Sequence, residues 1–198
     1  KKTDILVTTV FNLVHKKFHP FTNPSESQSL SLVAVGGFGR GEMAPYSDID
    51  LLFLSNKRQT GWAKSVVESV LYLLWDLKFK VGHSSRTISD CVQLGLDDLT
   101  IRTSMLEKRY LCGSRDLFEE LETTLKKKVF SKKASNFVEG KLSERAERHL
   151  KHANARYMLE PNIKEGKGGL RDLHTLYWIS KYIYRLSLIH ISEPTRPC

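Results

Sequence analysis

Apolar and polar positions follow two different periods along this chain, which predict helices and strands in succession. Residues 4–18 carry apolar side chains at helical spacing and end in two lysines, which suit a helix C-terminus. Short apolar runs at residues 32–35 and 51–54 are typical of buried strands, and residues 79–83 and 109–112 predict two more. Helical stripes cover residues 62–77, 99–106, 114–128, 135–156 and 170–186. This order predicts an α/β fold with a small mixed sheet, followed by helices.

The same stripes predict which side chains lie in a core and where helices begin. The wide apolar face of residues 62–77 predicts that Trp62 and Trp75 are buried. The last helix should bury one apolar set, namely Leu173, Leu176, Tyr177, Ile183 and Tyr184. Thr87 followed by Asp90 resembles a helix-start box, Asp98 precedes the stripe at residues 99–106, and Ser114 begins the stripe at residues 114–128, so all three predict N-caps.

The composition changes near residue 131, where the chain becomes strongly charged. We therefore expect an α/β domain over residues 1–130 and a helical annex over residues 131–186. The last residues, 187–198, resemble the translated read-through of a sequencing adapter and are interpreted as a non-native tail. Because the chain also lacks an initiating Met, we interpret it as a fragment of a longer protein.

Composition narrows the class of protein. A hydrophobic share of 40% and a charged share of 27% are ordinary for a globular protein, and no apolar run reaches the ~20 residues of a membrane span. The scattered Cys91, Cys112 and Cys198 argue against a disulfide framework or a zinc cluster and fit a reducing cytoplasm. The net charge of +9 is compatible with nucleic acid, with a triphosphate and an acidic partner, or with the accident of the fragment's ends. Nucleic acid is the least favoured, because no aromatic-interleaved basic patch is present.

The stretch VAVGGFGRGEMAPYSDIDLLFL, residues 33–54, carries the chemistry. Asp48 and Asp50 are two apart at the start of a strand, so their carboxylates project to the same face. Mg²⁺ prefers one or two carboxylates and completes its coordination with water and phosphate oxygens. Upstream, the backbone amides at Gly36 and Gly37 can approach a triphosphate without an intervening side chain. The layout predicts a nucleotidyl-transfer site.

Each of these residues also has a structural interpretation. The two aspartates could cap a turn and a strand, although a buried carboxylate is costly without a metal or strong donors. Arg40 could hold a phosphate oxygen or pair with Glu42. Ser47 could orient the loop or contact the triphosphate. His149 and His152, three apart on a charged helix, could share a face and bind a metal weakly, but with no carboxylate beside them we favour a solvated position.

The glycine and aspartate pattern resembles the polymerase β-type nucleotidyltransferase superfamily, and the fuller string GGFGRGEMAPYSDIDLLFL resembles the PII uridylyltransferase/uridylyl-removing family of bacterial nitrogen control. Three further segments are similar to that family in the same order: WDLKFKVGHSSRT, DLTIRTSMLEKRYLCG and YMLEPNIKEGKGGLRDLHTLYWISKY. The resemblance covers about residues 1–186.

The resemblance implies an enzyme that transfers UMP from UTP to a tyrosine of the PII signal protein and releases pyrophosphate. It implies that Asp48 and Asp50 hold Mg²⁺, with Mn²⁺ as a substitute, and that Gly36, Gly37, Arg40 and Ser47 bind the nucleotide. The uridylyl-removing and glutamine-sensing domains of the family are not expected in this stretch. The alternatives are an adenylyltransferase of the glutamine synthetase type and a non-catalytic module that binds nucleotide or nucleic acid.

One departure from the superfamily pattern concerns the third carboxylate that many members place on a later strand. The candidate strand here, FKVGHSS, has none, and Asp76, Asp90 and Asp98 fall on helices or caps. Glu107 is a remote candidate that we leave out of the predicted site, so the general base is unassigned.

Overall fold

The computed structural model describes residues 2–20, 29–43, 47–56, 60–131, 134–151 and 162–184. The helices are α1 (Lys2–Leu13), α2 (Gly36–Arg40), α3 (Gly61–Asp76), α4 (Ile88–Asp97), α5 (Leu99–Leu106), α6 (Arg115–Lys128), α7 (Ala134–Lys151) and α8 (Leu170–Tyr184). A π-helical turn, Val14–Phe18, extends α1. The strands are β1 (Leu30–Ala34), β2 (Ile49–Ser55), β3 (Val81–Thr87) and β4 (Arg109–Gly113). The chain divides into two compact units, Lys1–Val129 and Phe130–Cys198.

The four strands form one mixed sheet in the order β3, β2, β1, β4. Strand β1 is antiparallel to both β2 and β4, whereas β2 and β3 are parallel. The mixed sheet with helices confirms the predicted fold class. Because β2 and β3 pair in register, Asp50 lies opposite Gly82. The pairing therefore brings a strand that carries no acidic residue next to the aspartate motif.

Alternating strand positions divide the sheet into two faces. Leu32 and Phe53 lie on one of these faces and belong to a core cluster that includes residues of α1 and α3. Asp50 alternates with the fully buried Ile49 and with Leu51, so its side chain belongs to the opposite face. Helix α6 contacts β1 and β2 and contributes three buried leucines: Leu117, Leu121 and Leu125. The burial of Ile49 thus orients the neighbouring carboxylate away from the α1 and α3 side.

The predicted helix starts of the first unit are confirmed. The Thr87 side chain accepts a hydrogen bond from the Asp90 N–H, and the Asp90 carboxylate returns one to the Thr87 N–H, which makes a capping box. Asp98 caps α5 and Ser114 caps α6 through their side-chain oxygens. These contacts are local, which is why the sequence alone reveals them.

The glycine segment after β1 forms a one-turn helix, α2. Two predictions for the first unit need correction. The third strand runs from Val81 to Thr87 and not over residues 79–83. Trp75 is not in the core, because it is 43% exposed; its ring meets those of Tyr72 and His83 edge to face. Helix α3 buries a narrower face than its apolar pattern indicates.

In the second unit, α7 and α8 pack on each other. The rings of Phe137 and Tyr182 stack with centroids 4.2 Å apart, and the ammonium group of Lys141 lies 5.0 Å from the centroid of Trp178. The prediction for the buried face of α8 is wrong. Thr175, Trp178 and Tyr182 are buried, whereas most of the predicted set is exposed, namely Leu173, Leu176, Ile183 and Tyr184.

The buried positions of α8 are three and four residues apart, so they form one stripe that faces α7, and the leucines lie outside it. The predicted tail, residues 187–198, and residues 152–156 of the predicted charged helix lie outside the described residues. Among the helices that are described, none has an apolar stretch that could cross a membrane.

Candidate active site

Asp50 lies near the start of β2, and Asp48 lies two residues earlier, just before the strand begins. Asp48 and Ser47 are exposed, whereas Asp50 is partly buried. The backbone N–H of Val35 donates to the Asp50 carbonyl at 3.1 Å, so the β1–β2 pairing holds Asp50 beside the start of α2. The structure therefore brings the glycine segment and the aspartates together, as the sequence pattern predicts.

The carboxylate of Asp50 occupies a slot between two glycines. A Cβ atom added to Gly36 would lie 2.9 Å from Oδ2 of Asp50, and one added to Gly82 would lie 2.5 Å from Oδ1. Gly36 also has a φ of +58°, a conformation that favours glycine. We call the space bounded by Gly36 and Gly82 the glycine slot.

The surroundings of Asp50 disfavour its charged form. Burial raises the pKa of this carboxyl group, and the negative charges of Asp48 and Glu107 raise it further. Within the described part of the chain, no donor hydrogen-bonds to either aspartate carboxylate. Two neighbouring carboxylates without a compensating cation are costly, and a bound divalent cation would offset that cost.

Glu107 is a site residue that the sequence analysis left out. It directly follows α5, its side chain is 3% exposed, and its Oε1 accepts a hydrogen bond from Nη1 of Arg40. The second acceptor of the Arg40 guanidinium is Glu42, at 3.4 Å from Nε. Arg40 thus lies between two acids, Glu42 and Glu107. Its pair with Glu42 is the structural alternative that we weighed against phosphate binding.

Close backbone packing brings Glu107 to the site. A Cβ added to Gly39 would lie 2.0 Å from the backbone oxygen of Glu107, so only glycine lets α2 approach the end of α5 this closely. Glu107 belongs to the segment DLTIRTSMLEKRYLCG, and the sequence analysis considered it only as a remote candidate for the third carboxylate.

Arg109, on β4, fixes the C-terminal end of α2. Its guanidinium donates to the carbonyl oxygens of Phe38 at 2.8 Å and Gly39 at 3.1 Å, and to Asp4 of α1 at 3.0 Å. A cation is favourable at a helix C-terminus, where carbonyl groups lack partners within the helix. At the other end no side chain caps α2, so the amides near Gly36 and Gly37 are not covered by a capping side chain.

The donor set is too small for a site built from protein ligands alone. No group of three or more His, Cys, Asp or Glu side chains among the described residues could hold a metal ion. Asp48 and Asp50 supply two carboxylates, which is the number that Mg²⁺ commonly takes from a protein when substrate phosphate and water complete its shell. The residues present therefore fit a metal that binds together with a triphosphate.

The second unit contains a histidine and carboxylate pair that the sequence analysis did not find. Nε2 of His149 lies 2.9 Å from Oδ2 of Asp172, which also accepts a hydrogen bond from the Gly168 N–H at 2.8 Å. Arg145 and Arg148 donate to Oδ1 of the same carboxylate. His149 is therefore not simply solvated, because α8 brings a carboxylate that is 23 residues away in sequence.

Comparison with known proteins agrees with this geometry. A family model described as a nucleotidyltransferase domain matches residues 22–111, which include β1, α2, β2 and β3. The fold and the glycine-and-aspartate site therefore define a nucleotidyltransferase domain. A second model, described as GlnD PII-uridylyltransferase, matches residues 136–194.

Two curated relatives are similar along nearly the whole chain. Bifunctional uridylyltransferase/uridylyl-removing enzymes of Cereibacter sphaeroides and Ruegeria pomeroyi are 53% and 54% identical over 184 residues, 93% of this chain. The chain spans only 20% of the length of each. Over the segment that it spans, the chain is similar to the PII uridylyltransferase family.

Among solved structures, the crystal structure of a toxin-antitoxin with AMP-PNP matches 78% of this chain and 97% of its own at 16% identity and a TM-score of 0.33. This similarity is too low to support an argument about the fold or the site.

Proposed function

We propose that this chain carries the uridylyltransferase site of a PII-modifying enzyme, which transfers UMP from UTP to a tyrosine hydroxyl of the PII protein and releases pyrophosphate. The observation that supports this most is the pair of carboxylates Asp48 and Asp50, which lie beside the start of α2 and have no hydrogen-bond donor among the described residues. The names of the relatives supply the uridylyl group, and the description of the second family model supplies the PII acceptor.

In this proposal Asp48 and Asp50 hold a divalent cation, Mg²⁺ or Mn²⁺, against the triphosphate. Such a cation neutralises phosphate charge and stabilises the charge that develops during phosphoryl transfer. Nucleotidyl transfer needs positioning and charge neutralisation more than covalent chemistry from the protein.

The other predicted residues act on the triphosphate. The amides near Gly36 and Gly37 donate to its oxygens, since the N-cap residue Val35 makes no side-chain hydrogen bond to them. Arg40 orients this segment through its pairs with Glu42 and Glu107 and contributes positive charge beside the phosphates. The exposed Ser47 lies next to Asp48 and can donate its hydroxyl proton to a phosphate oxygen.

We place this reaction in the cytoplasm. Cys91 and Cys112 are free and buried, and burial raises the pKa values of their thiols to about 11 and about 12, so neither ionises readily. Free cysteines are typical of proteins in reducing compartments.

The test is a transfer assay with UTP labelled at the α-phosphorus, purified PII protein and Mg²⁺. We expect this chain to transfer label to PII. In the double variant Asp48→Asn with Asp50→Asn, the rate of transfer should fall by at least about a thousandfold. The exposed carboxylate variant Glu120→Gln on α6 is the matched control and should retain full transfer. Circular dichroism should show the same helix and strand content in all three proteins.

Parallel reactions separate the alternatives. Labelled ATP with glutamine synthetase as acceptor tests an adenylyltransferase, and a labelled oligonucleotide tests a nucleic-acid module. Full transfer by the double variant would contradict the metal assignment, and label on glutamine synthetase in place of PII would contradict the acceptor.

A further inference from the structure

Gly82 has no role in the proposed reaction, yet it touches the carboxylate at its centre. It lies on β3 directly opposite Asp50, and its missing Cβ leaves the space that Oδ1 of Asp50 occupies, 2.5 Å from where that Cβ would be. Real Cβ atoms essentially never make contacts below 3.0 Å. If residue 82 were alanine, Oδ1 of Asp50 could therefore not keep its present position.

We propose that Gly82 is a positioning residue for the divalent cation, because together with Gly36 it fixes the orientation of the Asp50 carboxylate. This inference rests on the proposed function. No donor among the described residues hydrogen-bonds to that carboxylate, so the shape of the glycine slot determines where its two oxygens lie. Gly36 bounds the slot on the side of Oδ2 and Gly82 bounds it on the side of Oδ1.

The magnitude of the clash decides its effect. An ordinary contact begins at 3.4 Å, so an alanine at 82 would displace Oδ1 by about 0.9 Å from its distance of 2.5 Å. Metal ligands in a working site lie within about 0.2 Å of their preferred distances. The displacement is therefore several times larger than a metal site tolerates.

The fold itself should tolerate the same change. Gly82 is exposed and does not have a positive φ, and among the described residues an added Cβ would meet only Oδ1 and Cγ of Asp50 within 4 Å. Those atoms belong to the end of a side chain that can rotate about χ1. Gly82→Ala should consequently move the carboxylate and leave the sheet in place.

The experiment measures Mn²⁺ binding to this chain by water-proton relaxation, with and without UTP. We expect Gly82→Ala to weaken binding of Mn²⁺ in the presence of UTP by about tenfold or more, as loss of a supporting residue beside metal ligands commonly does. Gly61→Ala is the matched control, since its added Cβ would meet no described residue within 4 Å, and it should bind Mn²⁺ as the unsubstituted chain does. Thermal unfolding should be cooperative in both variants, with closely similar Tm values.

In the transfer assay, the Mn²⁺ concentration that gives half the maximal rate should rise in Gly82→Ala and stay constant in Gly61→Ala. Failure of the unsubstituted chain to bind Mn²⁺ would contradict the proposed function itself. If the unsubstituted chain binds Mn²⁺ and Gly82→Ala binds it equally well, only the positioning role is overturned. Loss of cooperative unfolding in Gly82→Ala would also overturn it, because the glycine would then be needed by the fold.

Discussion

At the scale of single residues, Asp50 shows that a functional group can reduce stability. Its carboxylate is partly buried, lies near two other acids and has no described hydrogen-bond donor. The pKa of Asp50 is therefore raised by burial first and by Asp48 and Glu107 second. A carboxyl whose pKa is higher in the folded than in the unfolded chain binds more protons when folded, so stability falls as the pH rises through the folded pKa.

Asp50→Asn should accordingly stabilise the metal-free chain at pH 7, raising its Tm by a few degrees. The substitution keeps the shape of the side chain and removes the charge that burial and the neighbouring acids oppose. Thermal unfolding in EDTA measures the effect, and Glu120→Gln, which changes an exposed carboxylate, should leave Tm unchanged.

The advantage of Asp50→Asn should shrink as the pH is lowered, because the unsubstituted carboxyl then becomes protonated and neutral. A lower Tm for Asp50→Asn at pH 7 would contradict this account and would mean that the charged carboxylate has a stabilising partner.

At the scale of elements, the polar network between α7 and α8 centres on one carboxylate. Burial alone would raise the pKa of Asp172, but the hydrogen bond from the Gly168 N–H and those from Arg148 and His149 outweigh it and lower the pKa to about 2. Asp172 also accepts from Arg145. One side chain thus joins the start of α8 to two turns of α7.

Asp172→Asn should destabilise the second unit by at least about 2 kcal/mol, since it weakens several charge-assisted hydrogen bonds at once. Urea unfolding followed by the fluorescence of Trp178 on α8 measures this. Glu147→Gln, an exposed carboxylate on α7, is the control and should cost less than about 0.5 kcal/mol.

The contribution of Asp172 should also depend on pH in a defined direction. Because its folded pKa is lowered, its stabilisation is complete above the usual range of an aspartate and is lost as the pH falls towards about 2. Equal stability of Asp172→Asn and the unsubstituted chain near pH 7 would show that the network contributes nothing.

At the scale of the whole molecule, the proposed catalytic residues all belong to the first compact unit, Lys1–Val129. That unit contains the four-stranded sheet, both glycines of the slot and Glu107. The second unit, Phe130–Cys198, has its own α7–α8 pairing. The division lies next to the boundary at residue 130 that we expect from the change in composition, although the assignment of domains to activities is still a prediction.

A chain of residues 1–129 should therefore unfold cooperatively on its own and bind Mn²⁺ with UTP within about threefold of the affinity of the 198-residue chain. The physical reason is that every contact described for the aspartates, the glycine slot and Arg40 is internal to that unit. Calorimetry and water-proton relaxation provide the two measurements.

Residues 130–198 are the complementary control and should bind no Mn²⁺ at the same concentrations. An isolated first unit that does not unfold cooperatively, or that loses Mn²⁺ binding while folded, would show that the metal site needs the second unit.

The amino-acid sequence by itself determined the local features of this protein. The cap formed by Thr87 and Asp90 depends on residues three apart, and Asp48 and Asp50 are only two residues apart. The apolar periods predicted the order of helices and strands, and the ordered family segments pointed to a nucleotidyltransferase. Such signals need only neighbouring residues, so they are visible without a fold.

Only the tertiary structure decided which distant groups meet. Gly82 contacts Asp50 because β3 pairs with β2, and Glu107 reaches Arg40 because Gly39 lets α2 pack against the end of α5. For the same reason the buried face of α8 was mispredicted. An apolar stripe shows that a helix can bury a face, but the neighbouring helix determines which face it is, here the one with Trp178 and Tyr182.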